Sequence, residues 1–272
     1  MVDYTMFKYT LLVLLFFFAY TQAWRTGGIT QRANEMLPSP RVGGGRPVVQ
    51  MNAVIGNPAQ WPRPKKTLII YEYESSPFSR KVRQAVSQLD LTVEYRPCPG
   101  ARYGFSDQLA GRTAVFGLGG SRQVPFMNDP GNPVGTLANI KDSDEIVEYL
   151  FTNFGPGKDK IPGSLKGPFA GKKFGGADVS KPLANWREDN IFKRPLDLWG
   201  FEDGPSTPVR ETLNLLCLAH RVINCSKGSA NLAALASKNG GKVPYLEDPN
   251  TGKKLSGANE IKSYLLSTYT KT

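Results

Sequence analysis

Few residues in this chain have the type and spacing for chemistry, and two short stretches hold most of them. Ser75-Ser76-Pro77 and Ser79 open a segment in which Val82, Val86 and Leu89 recur at helical spacing. A hydroxyl at a helix start caps free backbone N–H groups. Those N–H groups, with the positive end of the helix dipole, also stabilise an anion such as a thiolate. Asp142-Ser143 precedes another helical stretch, and Asp142 with Glu145 has capping-box spacing. The cysteines offer less. Cys98 and Cys225 follow strand patterns, and Cys217 lies beside Leu215, Leu216 and Leu218, expected in a helix as a small buried residue. No cysteine pair has zinc spacing and His220 is the single histidine, which argues against a protein metal site and a Ser-His-acid triad. Gly117-Leu118-Gly119-Gly120 lacks the preceding strand that a nucleotide loop needs. The sequon Asn224-Cys225-Ser226 falls within an expected strand and is expected to be unused.

These stretches belong to a pattern stated twice. Val124-Pro125-Phe126-Met127-Asn128-Asp129-Pro130 is echoed by Val243-Pro244-Tyr245-Leu246-Glu247-Asp248-Pro249. Glu145-Ile146 with Tyr149-Leu150 is echoed by Glu260-Ile261 with Tyr264-Leu265. Val82-Arg83 and Cys98 recur, at the same separation, as Val209-Arg210 and Cys225. Several matches in register mean two copies of one small unit.

In the first copy, residues 67–74 read as a strand, Ser75-Ser76-Pro77 as a turn and helix start, and 91–97 as a second strand. A loose helix is expected at 106–109, strands at 123–127 and 134–140, and a helix after Asp142. Pro125 inside a strand removes a ladder hydrogen bond and so needs a special reason. The second copy repeats the order with strands at 196–201, 220–225 and 242–247 and helices at 207–218, 230–237 and 259–269. Residues 155–194, with Gly155-Pro156-Gly157, Lys172-Lys173 and Gly175-Gly176, read as a Gly/Lys-rich linker.

At 272 residues, 40% hydrophobic and 21% charged, the chain is long enough for two small globular domains. Eight Lys/Arg against two acids fall within residues 1–66, so +6 of the net +11 precedes the first copy. The remaining +5 is interspersed with acids and gives little support to a nucleic-acid partner. Residues 1–23 read as a signal peptide: Lys8, an apolar run over 11–20 too short to span a bilayer, and small residues at Thr21 and Ala23. Residues 24–66, which begin with Trp24 and carry seven Lys/Arg against one acid, read as a disordered, transit-peptide-like segment. A signal peptide followed by such a segment resembles the bipartite plastid presequence of algae with complex plastids; plain secretion is the alternative. No later segment is apolar enough to span a membrane.

Ser76-Pro77-Phe78-Ser79-Arg80-Lys81-Val82-Arg83, Val124-Pro125-Phe126 and Asp142-Ser143-Asp144-Glu145-Ile146 together resemble the N-terminal domain of glutathione S-transferases. The tandem arrangement is similar to plant and algal plastid proteins with two such domains. The resemblance implies an α/β protein of two tandem thioredoxin-like domains, over 67–154 and 195–270, each a four-stranded mixed sheet with flanking helices and a cis-proline before the third strand. It implies glutathione as ligand, with Ser76 (Ser75 its rival) donating a hydrogen bond to the thiolate. Val124 would offer its main chain beside a cis Pro125. Asp142, where the family usually has Glu, would meet the γ-glutamyl ammonium, and Ser143 its carboxylate. Ser76 and Ser79 occupy the Cys-x-x-Cys positions, so dithiol exchange is not expected. In the second copy Gly257-Ala258-Asn259 replaces the clamp, which implies a structural or partner-binding unit. The activity implied is glutathione transfer to an electrophile the sequence does not specify. The rival is a non-catalytic scaffold for a protein or thiol peptide. No metal is implied.

Overall fold

Leu68–Glu72, a run of apolar residues ending in Tyr71-Glu72, forms the central strand β1 of the first repeat. Pro77–Gln88 forms α1, Val93–Pro97 β2, Phe126–Asn128 β3, Asn139–Lys141 β4 and Ser143–Phe154 α2. The second repeat follows as Leu196–Gly200 (β5), Thr207–Leu215 (α3), His220–Asn224 (β6), Leu232–Asn239 (α4), Tyr245–Glu247 (β7), Lys254–Ser256 (β8) and Ala258–Tyr269 (α5). The structure, a computed structural model, describes residues 53–99, 123–132, 139–167, 182–202 and 204–271. The expected presequence up to residue 52, the helix at 106–109, the glycine run at 117–120 and most of the strand at 134–140 lie outside the described residues. Residues 53–66, expected as the disordered end of that presequence, are instead packed on the repeats: Val54 N donates to the Lys227 carbonyl and Ile55 N to the Gln88 carbonyl, both at 2.9 Å, and Arg63 Nη1 to the Leu89 carbonyl at 2.9 Å, with Ile55 and Trp61 against the apolar core. No helix among those described is long and apolar enough to cross a membrane.

Each repeat has the thioredoxin-like order. β1 runs parallel to β2 and antiparallel to β3, which pairs with β4; β5 stands in the same relation to β6, β7 and β8. Both Val-Pro bonds, Val124–Pro125 and Val243–Pro244, are cis and immediately precede the third strand of their repeat. The repeated Asp-Pro and Tyr also have a shared purpose. The Tyr149 hydroxyl donates to Asp129 Oδ2 at 2.7 Å, and Tyr264 donates to Asp248 Oδ2 at 2.6 Å. The other carboxylate oxygen caps the turn after the strand, accepting from Gly131 N at 2.8 Å or Asn250 N at 2.7 Å. One aspartate thus pins the strand exit to the last helix in each repeat.

Two elements differ from expectation. β8 was not read from the sequence, because only Leu255 in Lys254-Leu255-Ser256 is apolar. Cys217 is not in a helix: α3 ends at Leu215, and Cys217 takes the left-handed conformation (φ 54°) that Asp90 (φ 53°) takes after α1. The connection between repeats is anchored where it is described. Leu165 is buried in the apolar core, and Asn190 Nδ2 donates to the carbonyls of Leu216 and Tyr269 at 2.9 and 3.0 Å.

The sequence did not reveal how the repeats meet. β2 and β6, each an edge of its own four-stranded sheet, pair antiparallel, giving one eight-stranded sheet of order β4-β3-β1-β2-β6-β5-β7-β8. Val93 faces Val222, Glu94 faces Arg221 and Tyr95 faces His220. Glu94 and Arg221 are matched by the repeat, and so are Val93 with His220 and Tyr95 with Val222. The pairing is therefore isologous, a two-fold within one chain. It removes two open strand edges that would otherwise invite aggregation. The apolar core is continuous across it, with Val82, Leu89 and Leu150 in the same cluster as Val209, Leu216 and Leu265.

Beneath this seam lies a buried ionic cluster. Arg83 bonds Glu72 through Nη1, Glu202 through Nε at 2.8 Å, and the Glu74 carbonyl through Nη2 at 2.9 Å. Arg210 clasps the Glu74 carboxylate through Nη2 and Nε at 2.8 and 3.2 Å, and bonds the carbonyls of Phe201 and Glu202. Each repeat's arginine therefore takes the other repeat's glutamate. Asn214 Oδ1 accepts from Glu74 N at 3.1 Å, and Ser87 and Asn224 join α1 to β6 at 3.0 Å. Asn224 is buried, its Nδ2 donating to the Ser87 carbonyl at 3.1 Å and to Asp90 Oδ1 at 2.8 Å. Truncating one member leaves an uncompensated buried charge. Arg210→Met is accordingly expected to cost roughly 3–5 kcal/mol, and Arg210→Met with Glu74→Gln less than the two single costs combined, as read by urea unfolding.

The two-fold fails at one carboxylate. Glu72 is matched by Gly200, where a Cβ would stand 2.3 Å from Ser206 Oγ. The unmatched Glu72 is pushed by burial up to about 7, against the pull of Arg83. His220, whose Nδ1 faces the Leu218 carbonyl at 3.0 Å and whose buried Nε2 has no hydrogen-bond partner among the described residues, is held by burial down to about 4. The folded state keeps a proton on Glu72 that the unfolded chain releases near 4.5, so this contribution is full at low pH and lost as pH rises through about 7. Neutral His220 contributes fully above 6.5 and loses that contribution as pH falls through about 4. The slopes oppose each other. Glu72→Gln is expected to leave stability falling as pH drops from 6.5 to 4, and His220→Gln to leave it falling as pH rises from 4.5 to 7; urea midpoints across that range read both signs.

Candidate functional site

Strand register brings the expected site residues to one end of the sheet. Tyr71 of β1 faces Phe126 of β3, and Phe126 faces Lys141 of β4. Ser75-Ser76 follows β1, Val124-Pro125 precedes β3 and Asp142-Ser143 follows β4, so all three leave from the same row of the sheet. A gap of about seventy residues in sequence becomes three adjacent backbones because β3 lies between β1 and β4, with each strand spaced about 5 Å from the next.

Ser76 is the N-cap of α1. Its backbone is extended (φ −72°, ψ 122°) and its Oγ accepts from Ser79 N at 3.2 Å, while Pro77 fills the first helical position, where no N–H is needed. Accepting through oxygen leaves the Ser76 O–H proton available for donation. Its side chain is nonetheless buried, whereas neighbouring Ser75 is exposed. Ser79 is also buried, and its Oγ has no hydrogen-bond partner among the described residues. Pro125 is buried and cis; Val124 is half-buried beside Tyr71, Cys98 and Phe126.

Asp142 is exposed and caps α2, its Oδ1 accepting from Asp144 N at 2.7 Å, with Ser143 buried beside it. Its backbone is left-handed, φ 66° and ψ 136°. The matched residue of the second repeat is Gly257, with φ 91° and ψ 138°. The second repeat thus keeps this backbone shape but gives it to the residue that adopts it without strain. The first repeat holds an aspartate there at a cost on the order of 1–3 kcal/mol, and strain of this kind concentrates at functional positions. In the second repeat Ser206 occupies the place of Ser79 and makes no side-chain cap bond to α3. The first-repeat end of the sheet therefore carries the Ser75, Ser76 and Ser143 hydroxyls and the Asp142 carboxylate, while the second-repeat end has Gly257-Ala258 where the first has Asp142-Ser143.

Cys98 packs beside Val124, and Cys217 and Cys225 lie in the second repeat. Cys98 Sγ faces the Arg96 carbonyl at 3.5 Å and Cys225 Sγ the Ile223 carbonyl at 3.4 Å, the same contact in both repeats. Burial pushes the thiols of Cys217 and Cys225 up to about 12, away from thiolate chemistry. Sequence reasoning used Arg83 and Arg210 only as repeat markers. Their cross-repeat roles had one legible signal, a charged residue recurring directly after a buried valine on an otherwise core-facing helix.

The family described as glutathione S-transferase, N-terminal domain, matches residues 70–158 and again 198–272, together more than half of the chain. No curated protein and no solved structure matches the chain. The capping geometry separates the two serines: Ser76→Ala is expected to lower stability by about 1 kcal/mol through the lost cap, and Ser75→Ala to leave it unchanged, in thermal unfolding of the full chain.

Proposed function

The chain belongs to the glutathione S-transferase N-terminal domain family, and from that membership we propose that its first repeat binds glutathione and activates it as a nucleophile. In this reading the glutathione sulfur lies at the start of α1. The thiol loses its proton to solvent, and the thiolate is held by the Ser76 O–H and the positive helix end. Val124 pairs with the cysteinyl main chain beside cis Pro125. Asp142 takes the γ-glutamyl ammonium, and Ser143 its carboxylate. The thiolate then attacks an electrophile, forming the carbon–sulfur bond as the leaving group departs or the acceptor is protonated. The observation that carries this reading is the strained Asp142, kept where the second repeat has relaxed to Gly257. The N-terminal pattern supports a plastid location for this activity, with secretion as the alternative.

The second repeat has a different part. Its clamp positions are Gly257 and Ala258, while its sheet, cis proline and core are retained and joined to the first repeat. We read it as the structural partner that completes the eight-stranded sheet. The rival reading, a scaffold for a protein or thiol peptide, predicts no heat when glutathione is titrated.

Calorimetric titration of glutathione into the full chain tests the proposal. Binding is expected at millimolar concentration or tighter, weakened at least tenfold by Ser76→Ala, about the worth of one charge-assisted hydrogen bond. Asp142→Gly, which copies the second repeat, is expected to raise the melting temperature and weaken binding together. No heat with wild type, or unchanged affinity in both variants, overturns the assignment.

A further inference from the structure

Lys81 is fully buried within α1, an uncommon place for a lysine. Its Nζ donates to Asp144 Oδ1 in the first turn of α2 at 2.7 Å and to the Gly167 carbonyl at 3.2 Å. Asp144 in turn donates its backbone N–H to Asp142 Oδ1 at 2.7 Å. A continuous line of polar contacts therefore runs from the helix that begins at Ser76 to the carboxylate of Asp142. It crosses between the two elements whose spacing fixes the size of the candidate site.

The second repeat serves as an internal comparison. Where the first has Lys81 and Asp144, it has Pro208 and Asn259, and where the first has Asp142-Ser143, it has Gly257-Ala258. Its helices α3 and α5 still pack together, as α1 and α2 do. Helix packing in this fold therefore does not need the Lys–Asp tie. The tie and the clamp are both present in one repeat and both absent from the other. The energetics agree: Asp144 is 55% exposed, so it gains little from the pair that water would not supply, while Lys81 is desolvated completely. Such a pair is poorly suited to stabilising the fold and well suited to fixing a direction.

We propose that Lys81 is a positioning residue for the Asp142-Ser143 clamp, acting through Asp144, so that the first repeat's helix start and clamp are set at one distance. This rests on the glutathione reading above. Lys81 touches no ligand; it orients the first turn of α2, and Asp144 N–H orients the Asp142 carboxylate.

The test uses the full chain as wild type, Lys81→Met, Asp144→Asn and the double variant. Glutathione affinity is measured by calorimetry, and exchange of the Asp144 amide is followed by NMR without ligand. Met fills the lysine stem volume and Asp144 can hydrate, so the melting temperatures of Lys81→Met and of the double variant are expected to stay close to wild type, whereas Asp144→Asn, which leaves the buried Lys81 charge without its carboxylate, is expected to melt lower. Affinity is expected to fall roughly tenfold in each single variant, with the double variant no worse than either, as one charge-assisted contact acting in series requires. The Asp144 amide is expected to exchange faster in Lys81→Met. Wild type that binds no glutathione overturns the functional reading, and the positioning role with it. Wild type that binds, with both single variants binding equally well or the double variant showing additive losses, overturns the positioning role alone. Should Lys81→Met fail to fold, Asp144→Asn at its half-exposed position gives the same decision.

Discussion

The reciprocal pairing of Arg83 with Glu202 and of Arg210 with Glu74 is the constraint on which the rest of the molecule depends. Each ion pair is buried, so neither arginine can leave its partner without exposing an uncompensated charge to an apolar interior. Both pairs cross the line where β2 meets β6. Each repeat supplies one cation and one anion to the other, which makes the joint specific. A slip of one residue in the β2–β6 register would bring Glu94 out of line with Arg221 and turn every side chain to the opposite face. Hydrophobic burial supplies most of the stability of such a sheet, and the charges select one arrangement out of many apolar ones.

The joint also governs the candidate site. Glu72 and Glu74 are the last residues before the turn that carries Ser75 and Ser76, and Arg83 lies two turns along the helix that Ser76 caps. The turn is held from below by charges belonging to both repeats. The departure from two-fold symmetry lies here as well: Glu72 is opposed by nothing in the second repeat, because Gly200 gives its space to Ser206. The repeat that carries Asp142-Ser143 is thus the one that carries the extra buried carboxylate, while the other has smaller, less strained residues at both places.

Much of the fold was legible because repetition multiplies weak signals. Neither Val124-Pro125 nor Val243-Pro244 alone would indicate a strand opened by proline, yet both precede one. The helix boundaries at Ser76 and Asp142 were legible because capping chemistry is local. What could not be read was non-local. Nothing in Val93–Pro97 says that it is an edge, since a strand buried by a neighbour from the same domain has the same apolar alternation. Lys254-Leu255-Ser256 becomes a strand only because β7 offers it a ladder. The roles of Glu74 and Glu202 were hidden because a glutamate after a strand ordinarily reads as solvated surface.

The left-handed backbone shared by Asp142 and Gly257 carries the comparison furthest. Both repeats need the chain to turn back sharply between the fourth strand and the last helix, and both do so with ψ near 137°. Glycine meets that need without a Cβ clash, so a fold under no other demand would be expected to reach it, as the second repeat has. A cap alone does not account for aspartate at this place, because α5 forms over twelve residues without a side-chain cap at all. Asp142 strains the backbone, caps a helix whose counterpart forms uncapped, and receives a line of contacts from a buried lysine, so the demands of the turn alone do not account for an aspartate there.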